Sequence, residues 1–97
     1  MSLDRPAVGW AFGQVVRKAR RAAGYKQQAF APMAGISWAG LSLIERGRRA
    51  PSIAVVFAIA NALGVKPDAL VARAYRLIVK YPRTGLESRH EPKETST

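Results

Sequence analysis

The residues of this chain that could act on another molecule are mostly cationic. Sixteen Lys and Arg residues stand against six Asp and Glu, which leaves a formal charge of +10. Arg46, Arg48 and Arg49 fall within four residues, and Lys26 lies upstream of them. Guanidinium and ammonium groups at this density pair with phosphate oxygens, so the charge predicts a polyanionic partner. The alternative is that the excess of arginine only keeps a small protein in solution.

Residue types suited to catalysis or metal binding are scarce. The chain has no cysteine and one histidine, His90, which lies near the C-terminus without a second histidine or a carboxylate cluster around it. A Gly-rich phosphate loop and a motif around a nucleophilic serine are also absent. We therefore expect neither an enzyme nor a bound cofactor, metal or small-molecule ligand.

The length and the hydropathy pattern limit the architecture. Ninety-seven residues suffice for one domain that shares one hydrophobic core. The longest apolar run, from Ile53 to Ala60, is far shorter than the roughly 20 residues that span a bilayer, and the N-terminus has no apolar run of signal-peptide length. The lack of cysteine fits a reducing compartment. These features predict a cytoplasmic protein that does not contact a membrane.

The spacing of apolar residues predicts five helices and no strand. Residues 1–9 lack periodicity and are interpreted as an N-terminal arm, and the first helix then occupies residues 10–23. The second helix, residues 26–34, is expected to be short or bent. The reason is Pro32, which removes a backbone donor well past the first turn.

Capping residues mark the beginnings of the other helices. Ser37 is a suitable N-cap for the third helix and Ser52 for the fourth, while Pro67 favours the start of the fifth. Residues 83–97 are rich in Glu, Ser, Thr, Lys and Pro, which predicts a disordered polar tail. The ordered domain is therefore predicted at residues 10–82.

Several short residue groups follow one another at spacings that are typical of one protein family. They are Arg20 with Gly24, Gln27 through Ala31, Gly35-Ile36-Ser37, Ile44-Glu45-Arg46-Gly47, and Pro51 followed by Ile59-Ala60 and Leu63-Gly64-Val65. In this the chain resembles the Cro/Xre family of bacterial and phage repressors, over residues 12–70. The resemblance implies an all-α, five-helix, lambda-repressor-like DNA-binding domain with its helix-turn-helix at about residues 26–46. The helix that starts at Ser37 would then enter the major groove of double-stranded DNA.

The resemblance also implies roles for individual residues. Gln27 matches a glutamine that donates to a DNA phosphate, and Arg20 with Glu45 matches an internal salt bridge. The residues expected to contact DNA are Lys26, Gln27, Gln28, Ser37, Trp38, Ala39, Gly40, Ser42, Leu43, Arg46, Arg48 and Arg49.

The positions that read bases in this family carry unusual residues. They fall on Trp38, Ala39 and Leu43, which cannot form the bidentate pairs that amides and guanidinium groups make with purines. Three interpretations follow: apolar contacts with thymine methyl groups while Trp38 packs on the sugar-phosphate wall, nonspecific binding through the arginines, or an apolar patch for a protein partner. A further alternative is that Trp38 folds back onto the second helix as a core aromatic.

One helix-turn-helix reads only a few base pairs, which favours a homodimer on a partly palindromic site. Leu70, Leu77, Ile78 and Tyr81 of the fifth helix are the predicted interface, unless they close the domain's own core. The sequence thus predicts a sequence-specific transcriptional regulator, acting as a repressor. The alternatives are an antitoxin or other protein that binds a protein partner, and a nonspecific nucleic-acid-binding protein.

Overall fold

The computed structural model describes residues 2–82, which form five α-helices. The helices are α1 (Arg5–Ala22), α2 (Gln27–Met33), α3 (Trp38–Glu45), α4 (Ile53–Leu63) and α5 (Pro67–Lys80). No strand occurs in this range, so the all-α, five-helix prediction is confirmed. The predicted disordered tail, residues 83–97, lies outside the described residues.

The predicted N-terminal arm is wrong, because α1 begins at Arg5. Asp4 caps the helix, with its carboxylate accepting a hydrogen bond from the Ala7 backbone N–H at 3.0 Å. Pro6 lies in the first turn, where a helix needs no N–H from it. Ala7 and Gly9 are buried. The residues that suggested irregular backbone are therefore a first-turn proline and a glycine packed inside the domain.

Glycines allow α1 to lie directly against the end of α3. A Cβ on Gly13 would overlap the carbonyl oxygen of Ile44 and would lie 2.9 Å from that of Glu45. Gly47 has a φ of +74°, and a Cβ there would lie 3.1 Å from the Cα of Trp10. Any larger residue at Gly13 would push two backbones apart. This approach fixes the C-terminal end of α3 and thereby the direction in which its outer face points.

All five helices contribute to one hydrophobic core. Its fully buried members include one large side chain from each helix: Val16, Phe30, Leu41, Ile59 and Leu70. Burying a side chain of this size stabilises the fold by about 1.5–3 kcal/mol relative to leaving it exposed. The core side of α3 is therefore anchored, while its other side is free for contacts with a partner.

The turn between α2 and α3 is short and hydrogen-bonded. α2 has seven residues and ends one residue after Pro32, as expected for a proline inside a helix. Gly35 adopts a φ of +68°, and the Ile36 N–H donates to the carbonyl oxygen of Ala31 at 3.1 Å. Ser37 then caps α3, its Oγ accepting from the Gly40 N–H at 2.9 Å. The start of α3 is thus held at a fixed angle to α2.

The structure corrects the interface predicted on α5. Leu70 and Ile78 lie in the domain's own core, and Leu77 is half-buried against it. Tyr81, which follows the helix, is half-exposed. Because α5 packs along α1, its residues Leu70, Ala74 and Ile78 close the core, and two of the four predicted residues are out of reach of a partner.

Within residues 2–82 no single helix is long and apolar enough to cross a bilayer. α4 and α5 reach that length only as a pair, bent by 106° at the turn between them.

Candidate nucleic-acid interface

The outer face of α3 is the best candidate for contact with a large partner. Leu41 and Ile44 point into the core, so the opposite side of this helix faces outward. Trp38 is 54% exposed, and Ala39 is exposed beside it. Ser42 and Leu43 are partly exposed one turn later. The outward face is therefore mostly apolar, with one hydroxyl in it.

A buried ion pair holds the C-terminal end of α3. Arg20 Nε donates to Glu45 Oε2 at 2.7 Å and Arg20 Nη2 to Glu45 Oε1 at 2.9 Å, while Arg20 Nη1 donates to the Tyr25 carbonyl at 2.6 Å. The hydrogen bond that Arg20 donates to Glu45 raises the pKa of Arg20, so the guanidinium stays charged. The pair that the family resemblance implies is thus present, and it joins α1 to α3 and to the loop before α2.

A chain of two hydrogen bonds connects the same carboxylate to the surface of α3. Gln27 Nε2 donates to Glu45 Oε1 at 2.9 Å, and the indole Nε1 of Trp38 donates to Gln27 Oε1 at 3.1 Å. Arg17 Nε lies 3.8 Å from Glu45 Oε1. These contacts use the Gln27 amide oxygen and one of its two amide protons. The donation from Gln27 to a DNA phosphate, which the resemblance implies, stays a prediction.

The position of Trp38 excludes one of the alternatives. An aromatic packed onto α2 as a core residue would be buried, whereas more than half of the Trp38 side chain is exposed. Its ring is nevertheless held by the hydrogen bond to Gln27. Trp38 is therefore a fixed surface aromatic at the start of α3.

Three arginines follow the C-terminal end of α3, and one of them lies on the flank opposite Trp38. Arg46, Arg48 and Arg49 are exposed in the segment between α3 and α4, and Arg46 Nε donates to the Ser42 carbonyl at 3.4 Å. Arg49 Nη1 would lie 3.6 Å from a Cβ placed on Gly40. The Arg49 guanidinium therefore lies beside Gly40, which is buried, and the contact between Gly40 and DNA stays a prediction.

Of the other predicted contacts at the start of α2 and α3, Lys26, Gln28 and Ser37 are exposed. Ser37 uses its hydroxyl as the cap of α3. The described residues contain no group of three or more His, Cys, Asp and Glu side chains that could hold a metal ion.

The structure has a basic groove between α1 and α5 that the sequence did not predict. It encloses about 1030 Å³, and its cationic lining residues are Arg17, Lys18, Arg21, Arg73, Arg76 and Lys80. More than fifty positions separate the two groups along the chain. The only local signal was the helical spacing within each group, which also fits an ordinary solvated face.

The helix order and the exposed, capped third helix define a helix-turn-helix domain. A family model described as helix-turn-helix matches residues 16–70, more than half of the chain. The chain therefore belongs to the helix-turn-helix family of the Cro/C1 type. Members of this family are DNA-binding regulators of transcription.

Two curated proteins of Bacillus subtilis (strain 168) are similar to this chain. One is the uncharacterized HTH-type transcriptional regulator YazB, 41% identical over 59 residues, which cover 61% of this chain and 86% of YazB. The other is the SPbeta prophage-derived uncharacterized HTH-type transcriptional regulator YonR, 35% identical over 60 residues. That match covers 62% of this chain but only 56% of YonR.

Two solved structures have a similar fold. The restriction-modification controller protein C.AhdI from Aeromonas hydrophila aligns with a TM-score of 0.62 and 32% identity, over 64% of this chain and 94% of that one. The clp gene regulator ClgR from Corynebacterium glutamicum aligns with a TM-score of 0.73 over 92% of this chain and 93% of its own. At 24% identity, the likeness to ClgR concerns the fold alone.

Proposed function

We propose that this protein is a sequence-specific transcriptional repressor that places α3 in the major groove of double-stranded DNA. The observation that carries the proposal is the arrangement of cations on both flanks of α3. Trp38 donates to Gln27, which follows the exposed Lys26 in the chain, and the Arg49 guanidinium lies beside Gly40. Residues 38 and 40 are about 200° apart around a helix, so these contacts lie on opposite flanks.

Cations on two flanks suit the two phosphate backbones that border a major groove. Phosphate contacts fix the register of a protein on the duplex, while the helix between them meets the base edges. A domain seated in this way at a promoter excludes other proteins from the same groove. Repression therefore needs no surface beyond the one that binds DNA, and we expect the protein on the nucleoid in the cytoplasm.

The first test is a binding-site selection from random duplexes, followed by affinity measurements on the enriched site. Replacing Arg46, Arg48 and Arg49 together by Ala should weaken binding and reduce the slope of log K against log salt by up to about 3, since each lost phosphate contact removes about 1. The matched control replaces Arg73, Arg76 and Lys80 of the basic groove by Ala, which removes the same charge. Equal losses in both variants would place the DNA elsewhere than at α3.

We further propose that the protein binds its operator as a homodimer, through surface side chains rather than through Leu70 and Ile78. The large apolar residues that remain exposed on the last two helices form i, i+4 rows: Ile53 and Phe57 on α4, and Val71, Tyr75 and Val79 on α5. Exposed rows of this kind mark protein contacts in small soluble domains. Pairing would bring two recognition helices to successive major grooves, about 34 Å apart.

A second function is favoured by the apolar character of α3 itself. Trp38 and Met33 are exposed to 54% and 45%, and a protein partner could cover them. An antitoxin or another protein-binding member of this fold would show this surface without needing DNA. A selection that enriches no sequence, together with no binding to any duplex, would favour this function. Uniform, salt-sensitive binding would instead favour a nonspecific nucleic-acid-binding protein.

A further inference from the structure

We propose that α3 recognises the C5-methyl groups of pyrimidines, on thymine or on 5-methylcytosine, with a tryptophan that Gln27 holds in position. The inference rests on the proposed function, because it requires α3 to lie in the major groove. It assigns Trp38, Ala39 and Leu43 to the methyl groups and gives Gln27 a positioning role instead of a phosphate contact.

The chemistry of the outward face favours methyl groups over hydrogen-bonding edges. Each base pair presents donors and acceptors in the major groove, and the C5-methyl group is the apolar feature among them. Trp38, Ala39 and Leu43 offer apolar surface to that groove and no bidentate donor. Ser42 adds a hydroxyl, which pairs with several bases and therefore discriminates weakly. Burying a methyl group against apolar side chains is favourable because both surfaces leave water.

The side-chain amide of Gln27 already forms hydrogen bonds within the protein. Gln27 donates to the buried carboxylate of Glu45 and accepts from the indole of Trp38. Turning this amide toward a base would break both bonds and leave the carboxylate with one donor fewer. The Gln27 side chain therefore acts on DNA through Trp38.

The hydrogen bond restricts the Trp38 ring before any DNA arrives. Its indole N–H donates to Gln27 while 54% of the residue remains exposed, so the bonded orientation already presents the ring outward. A contact group that is already ordered loses less conformational entropy on binding. The buried Arg20–Glu45 pair supports this arrangement from inside, because Glu45 Oε1 accepts from both Arg20 and Gln27.

Arg49 lies on the other flank, over Gly40, and carries a charge that phosphates or a guanine can use. Such a contact does not respond to a methyl group on a pyrimidine. Changing only the methyl groups of the DNA therefore separates the contribution of Trp38, Ala39 and Leu43 from that of the arginines.

The experiment uses the full chain and the duplex enriched by selection. Each thymine is replaced in turn by deoxyuridine, which removes the C5-methyl group and keeps the hydrogen-bonding pattern. We expect a loss of about fourfold in affinity for each thymine that faces α3, the factor that corresponds to about 0.8 kcal/mol for one buried CH₂ group. In a second arm, a T·A pair is changed to C·G with and without a C5-methyl on the cytosine.

The two arms identify the source of the methyl group. A response in both assigns thymine and 5-methylcytosine, a response to deoxyuridine alone assigns thymine, and a response to cytosine methylation alone assigns 5-methylcytosine. Sequence-specific binding that is insensitive to both changes would overturn the inference while leaving the proposed function intact. If no duplex binds at all, the proposed function itself fails.

The positioning role of Gln27 is tested by the variant Gln27→Leu, which keeps the size of the side chain and removes its hydrogen bonds. We expect the ratio of affinities for thymine and deoxyuridine duplexes to fall toward 1 in this variant and also in Trp38→Ala. In a Trp38→Phe background, which has no indole N–H, Gln27→Leu should not change the ratio further. Thermal unfolding verifies that each variant is folded.

The phosphate role of Gln27 makes a different prediction. If Gln27→Leu weakens binding to all duplexes by the same factor and leaves the thymine to deoxyuridine ratio unchanged, its second amide proton serves a phosphate. The positioning role would then be wrong.

Discussion

At the scale of single residues, the buried Glu45 is the common partner of the polar side chains behind α3. Its carboxylate is almost inaccessible to solvent and accepts hydrogen bonds from Arg20 and Gln27, while Arg17 lies 3.8 Å away. A buried carboxylate needs such partners, because desolvation costs more than one interaction returns. The same residue therefore secures the fold and orients Trp38 at the surface.

The two arginines beside Glu45 should differ strongly in their effect on stability. Arg20→Ala leaves a buried carboxylate without its bidentate partner, and we expect the free energy of unfolding to fall by about 3–5 kcal/mol. Arg17 is partly exposed and farther away, so Arg17→Ala should cost about 0–1 kcal/mol. Urea unfolding measures both values. Similar losses in the two variants would show that Glu45 does not depend on Arg20.

Local sequence signals predicted some of these residues and could not predict others. Ser37 and Ser52 were expected to be helix N-caps, and each accepts a hydrogen bond from the backbone N–H three residues later. The contact between Gln27 and Trp38 depends on how α2 crosses α3, and no local pattern reports that angle. The position of Arg49 beside Gly40 is equally nonlocal. Short-range capping was therefore predictable, while the side-chain partners across helices required the three-dimensional arrangement.

At the scale of the helices, glycine spacing decides how α3 is presented. The sequence pattern placed Gly9 outside α1 and assigned no role to Gly13, and glycine in a helix interior costs about 1 kcal/mol relative to Ala. In the structure both lie in the interior of α1 and are buried, and Gly13 lies against the carbonyl groups at the end of α3. Glycine thus lowers the helix propensity of α1, but it allows the backbones of α1 and α3 to approach closely.

Two alanine substitutions in α1 should have opposite effects. Gly13→Ala places a methyl group 2.9 Å from the Glu45 carbonyl oxygen and should destabilise the protein by about 1–3 kcal/mol, since backbone must move. Gly9→Ala places its methyl group 3.4 Å from the Gly47 carbonyl oxygen, which a small shift accommodates. The gain in helix propensity, up to about 1 kcal/mol, should then leave that variant neutral or more stable.

Thermal unfolding distinguishes the two substitutions, because 1 kcal/mol corresponds to about 4–8 °C in the melting temperature of a domain of 60–100 residues. A Gly13→Ala protein that melts no lower than the wild type would contradict the tight packing of α1 against α3. A lower affinity for DNA in the folded Gly13→Ala protein would connect this packing to the orientation of α3.

At the scale of the whole molecule, size and surface both favour pairing. The described part of the chain measures 33 × 27 × 21 Å, so a single copy covers little more than one major groove. The exposed apolar rows on α4 and α5 and the cations around α3 belong to different helices. A second copy could therefore cover the apolar rows while both copies keep α3 available for DNA.

Phe57→Glu is the most direct test of this pairing. Phe57 is 57% exposed on α4, so the substitution should leave the monomer folded, but a carboxylate at an apolar interface would be desolvated without a partner. We expect sedimentation at tens of micromolar to change from dimer to monomer, and the affinity for a palindromic operator to fall much more than the affinity for a half-site. The matched control is Leu3→Glu, which changes the charge equally at another apolar residue of 53% exposure. A wild-type protein that sediments as a monomer with and without DNA would contradict the dimer, because the apolar rows on α4 and α5 would then remain exposed even on the operator.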